Sequence, residues 1–100
     1  MLKHIVMWKL KEFAEGKTKA ENALIMKESL ERLVGIVPEI ISLQVGINEK
    51  ESDMAYDAVL ISTFANAEAL ARYKVHPEHM KVSDYCKKIR EGRVFVDFHE

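Results

Sequence analysis

Leu2-Lys3-His4-Ile5-Val6-Met7-Trp8-Lys9-Leu10 is the stretch that decides the fold. At the strand period of two, His4, Val6 and Trp8 share one side while Ile5 and Met7 share the other, so both sides carry apolar residues. A strand of that kind belongs inside a sheet covered on both faces. Tyr56 to Phe64 repeats the pattern, with Tyr56, Ala58, Leu60 and Ser62 set against Val59 and Ile61. These two strands are expected at the centre of the sheet. Ile40 to Ile47 is different: Ile41, Leu43, Val45 and Ile47 alternate with Ser42, Gln44 and Gly46, the one-sided pattern of an edge strand. Arg93 to His99 supplies the last strand, where Val94, Val96 and Phe98 alternate with Phe95 and Asp97.

The segments between these strands read as helices and turns. Lys11 to Lys17 is a charged connection containing Gly16, and Thr18 with Glu21 forms a capping box that opens a helix. That helix is expected to run to about Val34, burying a stripe of Ala23, Met26, Leu30, Leu33 and Val34, with Gly35 as its C-cap and Pro38 preventing continuation. Asn48 to Asp53 is a polar turn, and Asn66 caps a short helix that turns Ala67, Leu70 and Ala71 inward. Next comes Tyr73-Lys74-Val75-His76-Pro77-Glu78-His79, where Pro77 pushes His76 out of helical geometry and suits the first position of a new helix through Val82, Tyr85, Cys86 and Ile89. Gly92 is expected to close it.

The order β-α-β-β-α-β predicts an α+β, ferredoxin-like domain: a four-stranded antiparallel sheet, right-handed crossovers and helices on one face. The other face of such a sheet exposes a few hundred Å², roughly, and here much of it is apolar. A homodimer closing sheet against sheet is the simplest cover, giving a dimeric α/β barrel.

Composition narrows the class. A chain of 100 residues, 48% hydrophobic and 31% charged, is read as one globular domain over residues 1–100, small enough to gain stability from a partner. Its net charge of -1 lacks the basic footprint of a nucleic-acid binder. The single cysteine, Cys86, forms no internal disulfide and reads as a buried small hydrophobe, which suits a reducing compartment. Nothing at the start resembles a signal peptide and no apolar run approaches the ~20 residues of a membrane span. The expected setting is cytoplasmic, with no membrane partner.

Chemistry concentrates around Pro77, which two of the four histidines flank. His79 falls near the third position of the helix Pro77 opens, where the positive end of the backbone dipole disfavours a charged imidazole and Glu78 favours one. A neutral imidazole is a base, and the Tyr73 phenol, brought back by the bend, could donate to a developing enolate oxygen. The plainer reading makes Tyr73 and His79 packing residues with satisfied polar tips beside Val82 and Cys86. His4 is either a satisfied core histidine or a cavity-lining group, and His76 serves the helix junction or lines the site. His76 and His79 lack the thiolates or carboxylates that would complete a tetrahedral metal site, so no metal is expected.

These residues carry a family resemblance. Lys3 to Lys11 resembles the first strand of the stress-responsive α/β-barrel (Dabb) domain, and Tyr73 to His79 resembles its Tyr-x-x-His-Pro-x-His signature. Val37-Pro38 and Val96-Asp97-Phe98 also fit, so the similarity spans nearly the whole chain. The resemblance implies a ferredoxin-like fold whose dimer joins two sheets into a barrel. It also implies a pocket like that of olivetolic acid cyclase, a plant member that closes a polyketide by aldol condensation without a cofactor. The tyrosine and last histidine that carry catalysis there match Tyr73 and His79, and a pocket histidine matches His4. A further pocket histidine of that enzyme falls at Ala58 here, and aromatic residues of its first helix fall at Met26 and Leu30, which implies a pocket of different shape. Some members hold magnesium near the turn after the first helix, but Gly35 to Pro38 offers carbonyls only.

Two functions are therefore expected. One is a dimeric protein holding a small apolar or aromatic ligand among His4, Val6, Ala58, Leu60, Tyr73, His76 and His79. The other is a cofactor-independent cyclase-like or oxygenase-like enzyme with His79 as base and Tyr73 as oxyanion donor.

Overall fold

The computed structural model describes residues 1–100. Its elements are β1 (Leu2–Leu10), β2 (Phe13–Ala14), β3 (Lys17–Thr18), α1 (Lys19–Glu31), β4 (Ser42–Ile47), β5 (Ala58–Phe64), α2 (Ala67–Val75), α3 (Pro77–Ile89) and β6 (Arg90–His99). The main sheet is antiparallel throughout, in the order β4-β5-β1-β6. This is the ferredoxin-like α+β architecture expected from the pattern of apolar residues. β1 and β5, apolar on both sides, form the central pair, and one-sided β4 is an edge.

Register divides the sheet into two surfaces. Val6 lies opposite Leu60 and Phe95, and Val45 opposite Leu60, so these residues share one face. Most of that face is buried against helices: Val6, Trp8, Val45, Ala58 and Leu60 join Met26, Leu30, Tyr73, Cys86 and Ile89 in one core cluster. Ile5 lies opposite Ile61 and Val96, and Met7 opposite Val59 and Val94, on the other face. There Met7, Ile61, Val94, Val96 and Phe98 are 40% to 54% exposed, because nothing in the chain covers them.

The connections differ from expectation in three places. Lys11 to Lys17 contains a small hairpin: Glu15 and Gly16 have φ of 53° and 74°, the paired positive angles of a tight turn joining β2 to β3. Asn22, fully buried, fixes that hairpin by donating from Nδ2 to the Ala14 carbonyl at 3.0 Å and accepting from the Tyr85 hydroxyl at 2.5 Å. The capping box of Thr18 and Glu21 is present, but α1 stops at Glu31 with Arg32 as its cap, leaving Val34 exposed in the turn that follows. Gly92 does not close α3. The helix ends at Ile89, where Arg90 turns extended (φ -90°, ψ 148°), and Gly92 already lies in β6 opposite Lys9. A register shift between Lys9 and Leu10 lets β6 begin this early.

Candidate functional site

The site is built by the break between α2 and α3. His76 is extended (φ -62°, ψ 132°), as a residue before proline must be, and it caps both helices. Its ring is spent on that task, since Nδ1 accepts from the Glu78 amide at 3.1 Å. Pro77 takes the first position of α3 and delivers His79 to the third, on the side of Tyr73. The two rings lie 4.2 Å apart between centroids, tilted by 44°. Phe64 follows at 4.9 Å from Tyr73, continuing the aromatic row into the core.

Hydrogen bonds set the protonation pattern. His79 Nδ1 lies 3.0 Å from the Lys74 carbonyl oxygen. A carbonyl can only accept, so Nδ1 carries the proton and Nε2 of the neutral ring keeps its lone pair. Burial pushes His79 below the ordinary histidine range, with the Lys74 hydrogen bond opposing and the charges of His4, Arg93 and Lys74 reinforcing. Tyr73 is 1% exposed, and its hydroxyl has no hydrogen-bond partner. Burial, then the nearby Cys86, pushes its phenol far above the ordinary range, so it stays a protonated donor. The pair thus offers a neutral imidazole and an unspent O–H.

His4 approaches from β1. Its Nδ1 lies 2.5 Å from Asp97 Oδ1 on β6, directly across the ladder. The carboxylate accepts, so His4 also keeps its free lone pair on Nε2. Burial drives His4 below the ordinary histidine value, and it outweighs the hydrogen bond and charge of Asp97, which act to raise it.

A cavity of about 200 Å³ lies among these groups. Five of the expected residues line it: His4, Val6, Leu60, Tyr73 and His79. Two expected residues do not. Ala58 is buried opposite Trp8 and borders a separate, more open hollow beside Met54 and Tyr56, while His76 is committed to capping. The lining also includes Ser83, Cys86, Lys87 and Arg90 from the α3 end, together with Arg93. Sequence reading assigned none of these to a site. Alternation along the last strand already placed Phe95 and Asp97 together, and Arg93 belongs to that set; its placement beside Trp8 depends on the register. Cys86 is buried as expected, and desolvation raises its thiol to about 11, far from a thiolate.

A second hollow of about 350 Å³ is lined by carboxylates and two lysines, and Lys19 gathers three of those carboxylates, Glu12, Glu51 and Asp57. Lys19 Nζ lies 3.0 Å from Glu12 and 3.6 Å from Asp57, while Asp57 Oδ2 accepts from the Leu10 amide at 2.7 Å. This is a brace for the end of β1. No group of three or more histidine, cysteine or carboxylate side chains converges to form a metal cage.

The profile of the stress-responsive A/B barrel domain, Dabb, matches residues 2–100. This chain belongs to the Dabb family. Solved structures agree with that placement. A dimeric protein of unknown function and ferredoxin-like fold from Bacteroides fragilis is 26% identical, with a TM-score of 0.78 over 99% of this Dabb chain and 95% of its own. A dimeric ferredoxin-like protein of unknown function from Thermobifida fusca is 18% identical, with a TM-score of 0.83 over 99% and 90%. Hydroxynitrile lyase from Passiflora edulis is 15% identical, with a TM-score of 0.79 over 97% and 90%. The last two share the fold with this Dabb protein and, at such identity, only the fold. No curated protein shows significant similarity to the chain. No helix is long and apolar enough to cross a membrane.

Proposed function

We propose that this Dabb protein is a cytoplasmic homodimer that holds a small apolar or aromatic molecule in the cavity of each subunit. The cavity is the observation that carries the reading. Its walls include Val6, Leu30, Leu60 and the rings of Trp8 and Tyr73, and its volume of about 200 Å³ suits a single ring. An apolar cavity of about 150 Å³ is enough to lodge benzene. The exposed apolar sheet face supports the dimer, as do the dimeric relatives from Bacteroides and Thermobifida. The lone, buried cysteine suits a reducing compartment.

The test is an NMR titration of the protein with neutral aromatic fragments such as anisole. The expected result is saturable shifts confined to Val6, Leu60 and the rings of Tyr73 and His79. Shifts confined instead to the open sheet face would contradict it.

A second reading has a specific observation behind it, the unpartnered Tyr73 hydroxyl beside a neutral His79. In this reading His79 Nε2 removes a proton from a carbon next to a carbonyl, and Tyr73 donates to the enolate oxygen that forms. No cofactor enters the step. Exchange of the α-protons of a small 1,3-diketone in D₂O reads that chemistry directly. The native protein should accelerate exchange, and His79→Gln should lose about a hundredfold or more of it. Equal rates for the two proteins would leave only the binding reading.

A further inference from the structure

The cavity is lined by three cations, Lys87, Arg90 and Arg93, and by no carboxylate. None of the three forms an ion pair; the ion pairs of the protein involve Lys3, His4, Lys19, Lys27, Arg72, Lys81 and Lys88 instead. The carboxylate whose charge reaches Arg93 is Asp97, and it is engaged by His4 at 2.5 Å. Lys87 and Arg93 are exposed and Arg90 is half-buried, so this cationic cluster faces the solvent mouth of a pocket whose deep wall is apolar.

Arg93 is also held in place. Its guanidinium carbon lies over the Phe95 ring, 5.1 Å from the centroid, a cation–π contact that engages none of its N–H donors. Burial pulls Arg93 below its ordinary value and the charge of Arg90 adds to the effect, while Asp97 opposes it. Deeper in, the lining residues Trp8 and Tyr73 each keep a buried donor, Nε1–H and O–H, without a partner. Every unanswered charge and every unanswered buried donor lining this cavity therefore calls for an acceptor or an anion.

We propose that the cavity selects a compact carboxylate, a single aromatic ring bearing one carboxylate group. The ring lies against Val6, Leu60 and Trp8, and the carboxylate is taken by the free edge of Arg93 with Arg90 and Lys87 nearby. A planar guanidinium receives a carboxylate through two parallel hydrogen bonds, which makes Arg93 the specificity-determining residue. This inference rests on the binding reading above and adds the charge of the ligand to it.

The experiment is a calorimetric titration of the native protein with sodium benzoate and, separately, with benzamide, its neutral equivalent in shape. Benzoate should bind about tenfold to a hundredfold more tightly, the range of a charge-assisted hydrogen-bonded pair. Arg93→Gln should bring the benzoate to benzamide affinity ratio close to one, while Arg93→Lys, keeping charge without the fork, should fall between. Equal affinity of the native protein for the two compounds would overturn the proposal and leave the cavity reading standing. Binding of neither at millimolar concentration would overturn both. If the variants do not fold, the benzoate to benzamide ratio of the native protein decides alone.

Discussion

The two faces of the sheet begin from similar sequence and end in opposite surroundings. On β1, His4, Val6 and Trp8 lie 1% to 4% exposed beneath the helices, while Met7 on the reverse side is 41% exposed. Apolar alternation therefore reports which residues are to leave water and is silent about what covers them. The helices on the covered face add a second property. Beneath them lie the buried His4 of β1 and Tyr73, with the half-buried His79 beside them, and it is there that the cavity forms. The open face has no such layer, and its exposed large residues, Met7, Ile61, Val94, Val96 and Phe98, are simply apolar.

The comparison can be broken most severely from the covered side. Phe64 is completely buried and joins the aromatic row to Tyr73, so Phe64→Ala should cost about 3–5 kcal/mol in urea unfolding and abolish ligand shifts. A loss below about 1 kcal/mol would mean the row is not packed as described. From the open side, Val96→Asp should leave the fold of each subunit intact by circular dichroism. It should weaken self-association by about a hundredfold or more, because an unpaired charge would be trapped between the sheets. If the variant self-associates like the native protein, that face is not the contact.

A subtler contrast lies in pH. His4 and His79 are both held below the ordinary histidine value of 6.5 by burial, so the folded state binds fewer protons than the unfolded chain at mildly acid pH. Their contribution is fully present above 6.5 and is lost as pH falls through the lowered folded values. Urea midpoints measured from about pH 7.5 to about pH 5.5, above the carboxylate range, should fall for the native protein. The fall should shrink in His4→Gln. An unchanged slope in that variant would contradict the placement of His4.

The smallest expected effect concerns the orphan hydroxyl. Tyr73→Phe removes a buried O–H without a partner and should be neutral or stabilising by up to about 1 kcal/mol. A clear destabilisation would show that the hydroxyl has a partner.

Much of this was legible in the residues. The both-sided pattern of β1 and β5 gave their central position, Thr18 and Glu21 gave the start of α1, and the proline after His76 gave the break that carries His79 to Tyr73. The cationic part of the cavity was not legible. It depends on α3 stopping at Ile89 and on the register shift at Lys9 and Leu10, both long-range pairings that no local signal announces. Gly92 misled for the same reason, since a glycine after a helix suggests a cap until the strand opposite it is known. His76 and Ala58 were drawn in by proximity to the signature and by resemblance, whereas capping geometry and strand register decide where each side chain is used.

The central claim is that one face of the sheet is closed over a cavity by its own helices and the other by a second copy. Sedimentation equilibrium at micromolar concentration tests it most directly. Each chain weighs 11.5 kDa, and a dimer closed sheet against sheet should sediment at twice that mass. A single-chain mass persisting to tens of micromolar, with the apolar face still open to water, would contradict it.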